Sequence, residues 1–175
     1  MSFLIDDEQM RIYDFNRLVR DLNGLSVEEY LLRVSEVYTF EKKSGAHKPS
    51  QKDEISMYLE GNWYSLIAKE HSYNSAHCVE HLDTAILSKN ILEPILGIKD
   101  IRNDDRIDFM DGKQGLMALE SAVDCGEYRV AFALKSITFE QLKRVADQNE
   151  IMPPKSTYIE PKLRSGLTIY SIDTD

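Results

Sequence analysis

The chain has 175 residues, of which 42% are hydrophobic and 29% are charged, and its formal net charge is −9. This length and composition predict one globular domain and exclude long disorder, collagen and coiled coil. The negative charge makes non-specific nucleic-acid binding unfavourable, and no apolar run or basic leader predicts a membrane span or a signal peptide. We therefore expect a cytoplasmic protein with no membrane partner, whose two cysteines, Cys78 and Cys125, are reduced.

The beginning of the chain predicts a hairpin followed by a helix. Strand formers on both sides of the turn-like residues 6–9 predict a hairpin whose second strand ends near Arg17. Further on, Ser26 and Glu29 have the spacing of a capping box ahead of an apolar stripe. We therefore expect a helix over residues 26–36.

A short strand, a polar loop and a tight hairpin are expected next. Residues 37–40 have strand character, whereas residues 42–53 are polar and show no period, which predicts a mobile loop. The Glu-Gly-Asn sequence at 60–62 separates two apolar runs at 55–59 and 63–68. This arrangement predicts a hairpin.

The second half of the sequence alternates between helical and strand patterns. Apolar residues at intervals of three to four predict helices over 83–96 and 113–125, ended by Pro94 and Gly126. The other expected elements are a short strand within 100–112, a buried strand over 130–134, a helix over 138–149 with a capping box of Thr138 and Gln141, and a strand over 167–172. The pattern favours one α+β domain over residues 1–175, with a mixed, mainly antiparallel sheet and about four helices.

A basic patch near the C-terminus is the most distinctive stretch of this acidic chain. It follows two prolines and contains the residue types that bind phosphate or carboxylate: Lys155, Ser156, Thr157, Lys162 and Arg164. The stretch is not a Walker A loop, because the glycines are missing and the prolines lack N–H donors. The alternative is a proline-braced turn with solvated charges, which residue chemistry alone favours. On the binding hypothesis, we expect residues 152–166 to be ordered, partly exposed and the site of any bound anion.

A second candidate is the polar pair Asn16 and Arg17 at the end of a predicted strand. Such a pair can present hydrogen-bond donors to a ligand. The competing interpretation is an arginine held by a neighbouring carboxylate, and the many acidic residues of the chain favour it slightly.

Three histidines and a cysteine lie close together at His71, His77, Cys78 and His81. Residues 77 and 81 would share a helix face, and zinc accepts nitrogen and sulfur ligands. The spacing fits no common zinc signature, so we predict no metal site and interpret the cluster as a solvated, histidine-rich helix start.

Several stretches resemble the C-terminal half of a widespread bacterial family, domain of unknown function ten-fifteen, which is often labelled SpoOJ/ParB-like. They are Asp-Phe-Asn-Arg at 14–17, Leu-Asn-Gly-Leu at 22–25, Leu-Glu-Pro-Ile-Leu-Gly-Ile at 92–98, Arg-Ile-Asp-Phe at 106–109, Met-Pro-Pro-Lys-Ser-Thr at 152–157 and Pro-Lys-Leu-Arg-Ser-Gly-Leu at 161–167. Full-length members carry an Asp-Gly-His-His-Arg motif in an N-terminal part similar to ParB and to free serine kinases. This chain has no such motif, and the resemblance therefore implies a fragment that lacks the N-terminal half.

The resemblance implies an accessory ligand-handling domain of a ParB/serine-kinase-like protein. In this hypothesis the basic patch completes an anion or nucleotide-phosphate site, and the partners are the N-terminal half and a small anionic ligand. The complete protein would be a small-molecule phosphotransferase with a nucleotide as cofactor, whereas the fragment alone would be inactive.

Two other functions stay open. A DNA-binding partition or regulatory module would need basic helix faces. The predicted helix after Ser26 is mostly acidic and the one after Thr138 offers only Lys143 and Arg144, which disfavours nucleic acid as a partner. The chain could also be a non-enzymatic scaffold or dimerisation domain that forms a homodimer. A missing half also predicts an exposed apolar patch where that half would dock.

Overall fold

The computed structural model describes residues 6–51 and 53–162. Its helices are α1 Val27–Val37, α2 Asp83–Leu87, α3 Leu116–Asp124 and α4 Phe139–Asp147, and a π-helix, Ser88–Leu92, continues α2. Its strands are β1 Arg11–Tyr13, β2 Phe15–Val19, β3 Tyr38–Lys43, β4 Glu54–Leu59, β5 Asn62–Ala68, β6 Ile107–Asp111, β7 Val130–Ala133 and β8 Tyr158–Glu160. Short 3₁₀ segments lie at Asp7–Gln9, Glu70–Ser72 and Gly112–Gln114.

Six strands form one sheet in the order β3-β5-β4-β7-β2-β6, and β1 pairs with β8 in a separate two-stranded sheet. Every strand pair described is antiparallel. The predicted single-domain α+β fold with four helices and a mainly antiparallel sheet is confirmed.

The six-stranded sheet has apolar packing on both faces. Central strand β7 shows this most directly, because Val130 and Phe132 belong to the core cluster beneath α1 and α2, whereas Ala131 and Ala133 belong to the cluster beneath α3. All four side chains are buried, as predicted for a strand covered on both sides. Helix α4 packs separately, through Val145, in a third cluster.

Both predicted capping boxes are present. In α1 the Ser26 and Glu29 side chains each accept a hydrogen bond from the other residue's backbone N–H, and Thr138 and Gln141 do the same in α4. These bonds satisfy N–H groups that a helix start leaves without a partner.

Replacing Thr138 with alanine should therefore lower the free energy of unfolding by about 1 kcal/mol. Urea unfolding measures this change. The control is Ser121→Ala in α3, where the hydroxyl donates to the carbonyl of Met117 within the helix and alanine has the higher helix propensity. An equal effect of both substitutions would contradict a stabilising cap.

The predicted hairpin at 55–68 is confirmed, whereas the first strand of the predicted N-terminal hairpin, at residues 3–5, lies outside the described residues. Glu60 and Gly61 both have left-handed φ values, 47° and 74°, as a tight two-residue turn requires. The stretch expected as the second strand of the N-terminal hairpin is divided into β1, which pairs with β8, and β2, which pairs with β6 and β7. Strand β2 also continues past Arg17 to Val19; residues 3–5 and the predicted strand at 167–172 lie outside the described residues.

The boundaries of two other predictions need correction. The helix expected over 83–96 is α-helical only to Leu87, and its backbone then shifts to π-type bonds such as Glu93 N–H to the Ser88 carbonyl. Pro94 has no N–H to continue a regular ladder. The loop expected over 42–53 begins only after Lys43, which is the last residue of β3.

Large exposed apolar side chains are distributed over several elements. They are Leu32 in α1, Ile67 in β5, Met117 in α3, Phe139 in α4 and Ile151 in a loop. The expectation of one docking patch for a missing half stays a prediction. Within the described part of the chain, no helix has the length and apolar character needed to cross a membrane.

Candidate functional site

The fold brings two of the predicted binding residues, Arg17 and Lys155, to the same aromatic ring. The guanidinium carbon of Arg17 lies over Phe109, 4.8 Å from the ring centroid. The Lys155 ammonium lies 5.7 Å from the same centroid and 5.8 Å from that of Phe15. Strand pairing explains the placement, because Arg17 on β2 is the register partner of Phe109 on β6. We call Arg17, Lys155, Phe15 and Phe109 the Arg17 site.

Arg17 is a buried cation without a counter-charge among the described residues. It is 1% exposed, and its Nη1 donates to the Phe15 carbonyl oxygen at 2.5 Å. Its Nε and Nη2 are buried and have no hydrogen-bond partner within residues 6–51 and 53–162. Burial lowers the pKa of Arg17 to about 9. Because no carboxylate among the described residues holds Arg17, the predicted alternative of an arginine held by a carboxylate does not describe this side chain. Burying such an uncompensated charge is costly.

The Asn16 side chain binds the backbone of the chain that follows β7. It is 1% exposed, and its Oδ1 accepts a hydrogen bond of 3.0 Å from the Leu134 N–H. Leu134 directly follows β7, so this bond continues the pairing of β2 with β7 by one residue beyond the end of the strand. Asn16 therefore fixes the strand that carries Arg17.

Lys155 lies in an exposed turn with a left-handed φ of 55°. Glycine adopts this conformation without strain, so the lysine is there at a conformational cost. Ser156 is buried and its Oγ donates to the Pro153 carbonyl at 2.7 Å, which closes the turn and uses the hydroxyl proton. Lys155 therefore lies in a turn that this hydrogen bond closes.

The other predicted anion ligands lie further along the same segment. Thr157 is half-buried and directly follows the turn. Lys162 is exposed, and its ammonium lies 3.7 Å from the centroid of the Tyr158 ring. Arg164 lies outside the described residues.

A cavity of about 580 Å³ adjoins the Arg17 site and has Phe109, Pro154 and Lys155 in its wall. Two of the three acidic residues of the wall have partners, since Asp104 binds Arg106 at 2.8 Å and Asp108 binds Arg20 at 2.7 Å, and the third, Asp105, is exposed. The ammonium of Lys155 has no carboxylate partner among the described residues. A ligand can therefore fill the cavity and meet positive charge at the Lys155 end.

Sequence reasoning missed a buried carboxylate beside this site. Asp14 is 5% exposed, and its Oδ1 accepts from Ser136 Oγ at 3.1 Å and pairs with Lys48 Nζ at 3.5 Å. A Cβ at Gly112 would overlap this carboxylate, so any larger residue there would displace the Asp14 side chain. Asp14 directly precedes the Phe-Asn-Arg residues at 15–17, which was the available signal, but its partners come from distant loops.

The residues of the predicted histidine cluster make separate contacts in the structure. His81 Nε2 lies 3.1 Å from Asp53 Oδ1, and the His77 Nδ1 accepts from the backbone N–H groups of Val79 and Glu80. Cys78 is buried in the core beside α4. Among residues 6–51 and 53–162, no group of three or more potential metal ligands converges.

Residues 1–85 match the model of a family described as a protein of unknown function (DUF1015). No curated protein matches the sequence. A free serine kinase in complex with AMP has a similar structure, with a TM-score of 0.54 and 13% identity over 88% of this chain and 55% of that one. A mutant of free serine kinase in complex with ADP gives a TM-score of 0.51 and 13% identity, with coverage of 88% and 55%.

A conserved hypothetical protein from Pyrococcus furiosus is also similar, with a TM-score of 0.53 and 16% identity over 88% of this chain and 57% of that one. The chain thus spans a little over half of the length of these solved structures. At such identities the comparison shows a shared fold. The resemblance places the likeness to free serine kinase in an N-terminal part outside this chain, whereas the described chain itself shares that fold.

Proposed function

We propose that this chain is a ligand-handling domain that binds an acidic group of a small molecule, in particular a nucleotide phosphate. The observation that carries the proposal is the buried guanidinium of Arg17, which has two nitrogens without partners and no counter-charge among the described residues. An anion would supply the missing charge and the missing acceptors. Lys155 adds a second cation at the same ring, beside a cavity large enough for a small molecule.

The fold neighbours support the nucleotide class, because free serine kinase structures with AMP and with ADP share this fold. Phosphoryl transfer mainly requires positioning and charge neutralisation, to which Arg17, Lys155 and the more distant Lys162 are suited. We further propose that the chain works with an N-terminal half in a DUF1015-type phosphotransferase. Thr157 and Arg164 stay proposed ligands of the same group.

Replacing Lys155 with alanine should weaken binding of AMP or inorganic phosphate about tenfold, or ~1.5 kcal/mol, because one charged contact is lost. Isothermal titration calorimetry at low salt measures the affinity. The fold should be unaffected, because the side chain is exposed and alanine has the same left-handed strain as lysine.

The matched control is Lys143→Ala, which removes an exposed lysine from α4. It should leave the affinity unchanged apart from the small effect of net charge. An affinity unchanged by Lys155→Ala, or a large fall in its melting temperature, would show that the turn serves the fold and not a ligand.

A further inference from the structure

We infer that Arg17 recognises two oxygens of a single acidic group, side by side, through Nε and Nη2. This inference rests on the proposed function and specifies the chemistry of its ligand. The acidic group is a carboxylate or a phosphoryl group, since both present two oxygens with the required spacing.

One edge of the Arg17 guanidinium is free of partners among the described residues. Nη1 donates to the Phe15 carbonyl oxygen, so that part of the group is held by the strand that carries it. The two nitrogens without partners, Nε and Nη2, are neighbours on one edge of the planar group. They form a ready two-pronged donor, whereas a single-atom anion such as chloride would satisfy this edge incompletely.

In the part of the chain that the structure describes, no side chain or backbone group accepts a hydrogen bond from this edge. The nearby acidic side chains have other partners: Asp14 contacts Ser136 and Lys48, and Asp108 contacts Arg20 and Tyr128. The bond from Nη1 to the Phe15 carbonyl oxygen holds the guanidinium, and the bond between Asn16 and Leu134 fixes the strand that carries it. The donor is therefore rigid before a ligand binds, which is the condition for two-pronged recognition at low entropic cost.

Both nitrogens are buried in this structure, so a neighbouring side chain must move for an acidic group to reach them. Phe109 is half-buried and Lys155 is exposed, and both border the cavity of about 580 Å³. Rotation of the ring and of the lysine would open a path from this cavity. The Lys155 ammonium would then lie near the bound acidic group, while the cavity holds the rest of the ligand.

The test compares Arg17→Lys, which keeps a positive charge without the fork, with Arg17→Met, which removes both. Acetate, inorganic phosphate, AMP and chloride are titrated into the 175-residue chain and each variant, and binding is followed by calorimetry and by the shift in melting temperature. Arg129→Lys is the control, because it makes the same change at an exposed arginine that pairs with Glu60, and neither residue lines the cavity. Backbone amide spectra verify that each variant keeps the fold.

We expect the unmodified chain to bind acetate or phosphate more tightly than chloride, and both Arg17 variants to lose about tenfold or more in affinity. A preference for acetate would identify a carboxylate ligand, and a preference for phosphate and AMP a phosphoryl ligand; either result supports the inference. If Arg17→Lys binds normally while Arg17→Met does not, the anion site stands and the two-oxygen inference is overturned. Binding of chloride as tight as that of acetate and phosphate also overturns it. Normal binding by both variants, or no binding by the unmodified chain, overturns the proposed function as well.

Discussion

Replacing Glu54 with glutamine is expected to lower the free energy of unfolding by about 3 kcal/mol at pH 7. Glu54 is 2% exposed, at the start of β4. Burial alone would raise its pKa, but hydrogen bonds to the carboxylate outweigh burial and lower the pKa to about 2. The donors are His47 Nε2, Ser65 Oγ, the Ser50 N–H and Oγ, and the Gln51 N–H. A glutamine amide replaces one carboxylate oxygen by an NH2 group. Some of these donors would then lose their acceptor and face another N–H donor, which repels them.

The same carboxylate gives the stability a defined pH dependence. Because the folded-state pKa is below the ordinary glutamate value of 4.5, the stabilisation is complete above about pH 5 and is lost as the pH falls toward 2. The Glu54→Gln variant lacks this contribution at every pH. Its stability should therefore converge with that of the unmodified chain as the pH approaches 2.

Urea unfolding at a series of pH values from about 7 to about 2 measures both effects, with the range limited by the acid stability of the fold. The control is Glu36→Gln at an exposed carboxylate in α1, which should change the stability by less than ~0.5 kcal/mol. Parallel curves for Glu54→Gln and the unmodified chain below about pH 5 would show that the carboxylate is not the group that titrates.

Local signals in the sequence predicted the elements whose stability is itself local. The capping boxes at Ser26 and Thr138 marked two helix starts because the bonds join residues three apart. The turn at Glu60 and Gly61 identified its hairpin for the same reason. By contrast, β1 pairs with β8, from the other end of the described chain, and no local pattern could predict that partner.

The candidate site was predictable in its residue types but not in its arrangement. Arg17 and Lys155 were proposed as cations suited to an anion, yet the sequence does not show that they meet at Phe109. That meeting depends on the register of β2 against β6. The use of the Ser156 hydroxyl within its own turn is also a tertiary property, because it depends on how the chain folds at Pro153.

Replacing Arg17 with methionine is expected to raise the free energy of unfolding by about 2 kcal/mol when no binding anion is present. The substitution removes a charge that is buried without a counter-charge among the described residues. Methionine fills a similar volume, and its sulfur can contact the Phe109 ring. The change loses the hydrogen bond to the Phe15 carbonyl and the cation–π contact, each worth about 1 kcal/mol. The substitution removes the desolvation penalty of the buried charge, which is on the order of several kcal/mol, and this gain exceeds the two losses.

Urea unfolding in a buffer of low anion content measures this effect, with Arg20→Met as the control at an exposed arginine. The control should show no gain, since Arg20 is solvated and pairs with Asp108. Adding AMP or phosphate should reduce the difference in free energy of unfolding between Arg17→Met and the unmodified chain. A ligand that binds only the unmodified chain stabilises only that chain. A loss of stability in Arg17→Met would mean that the guanidinium supports the fold, and the energetic argument for a ligand at this position would fail. If Arg17 is kept for binding at the expense of stability, Arg17→Met should have the higher free energy of unfolding, and this advantage should decrease when the anion is added.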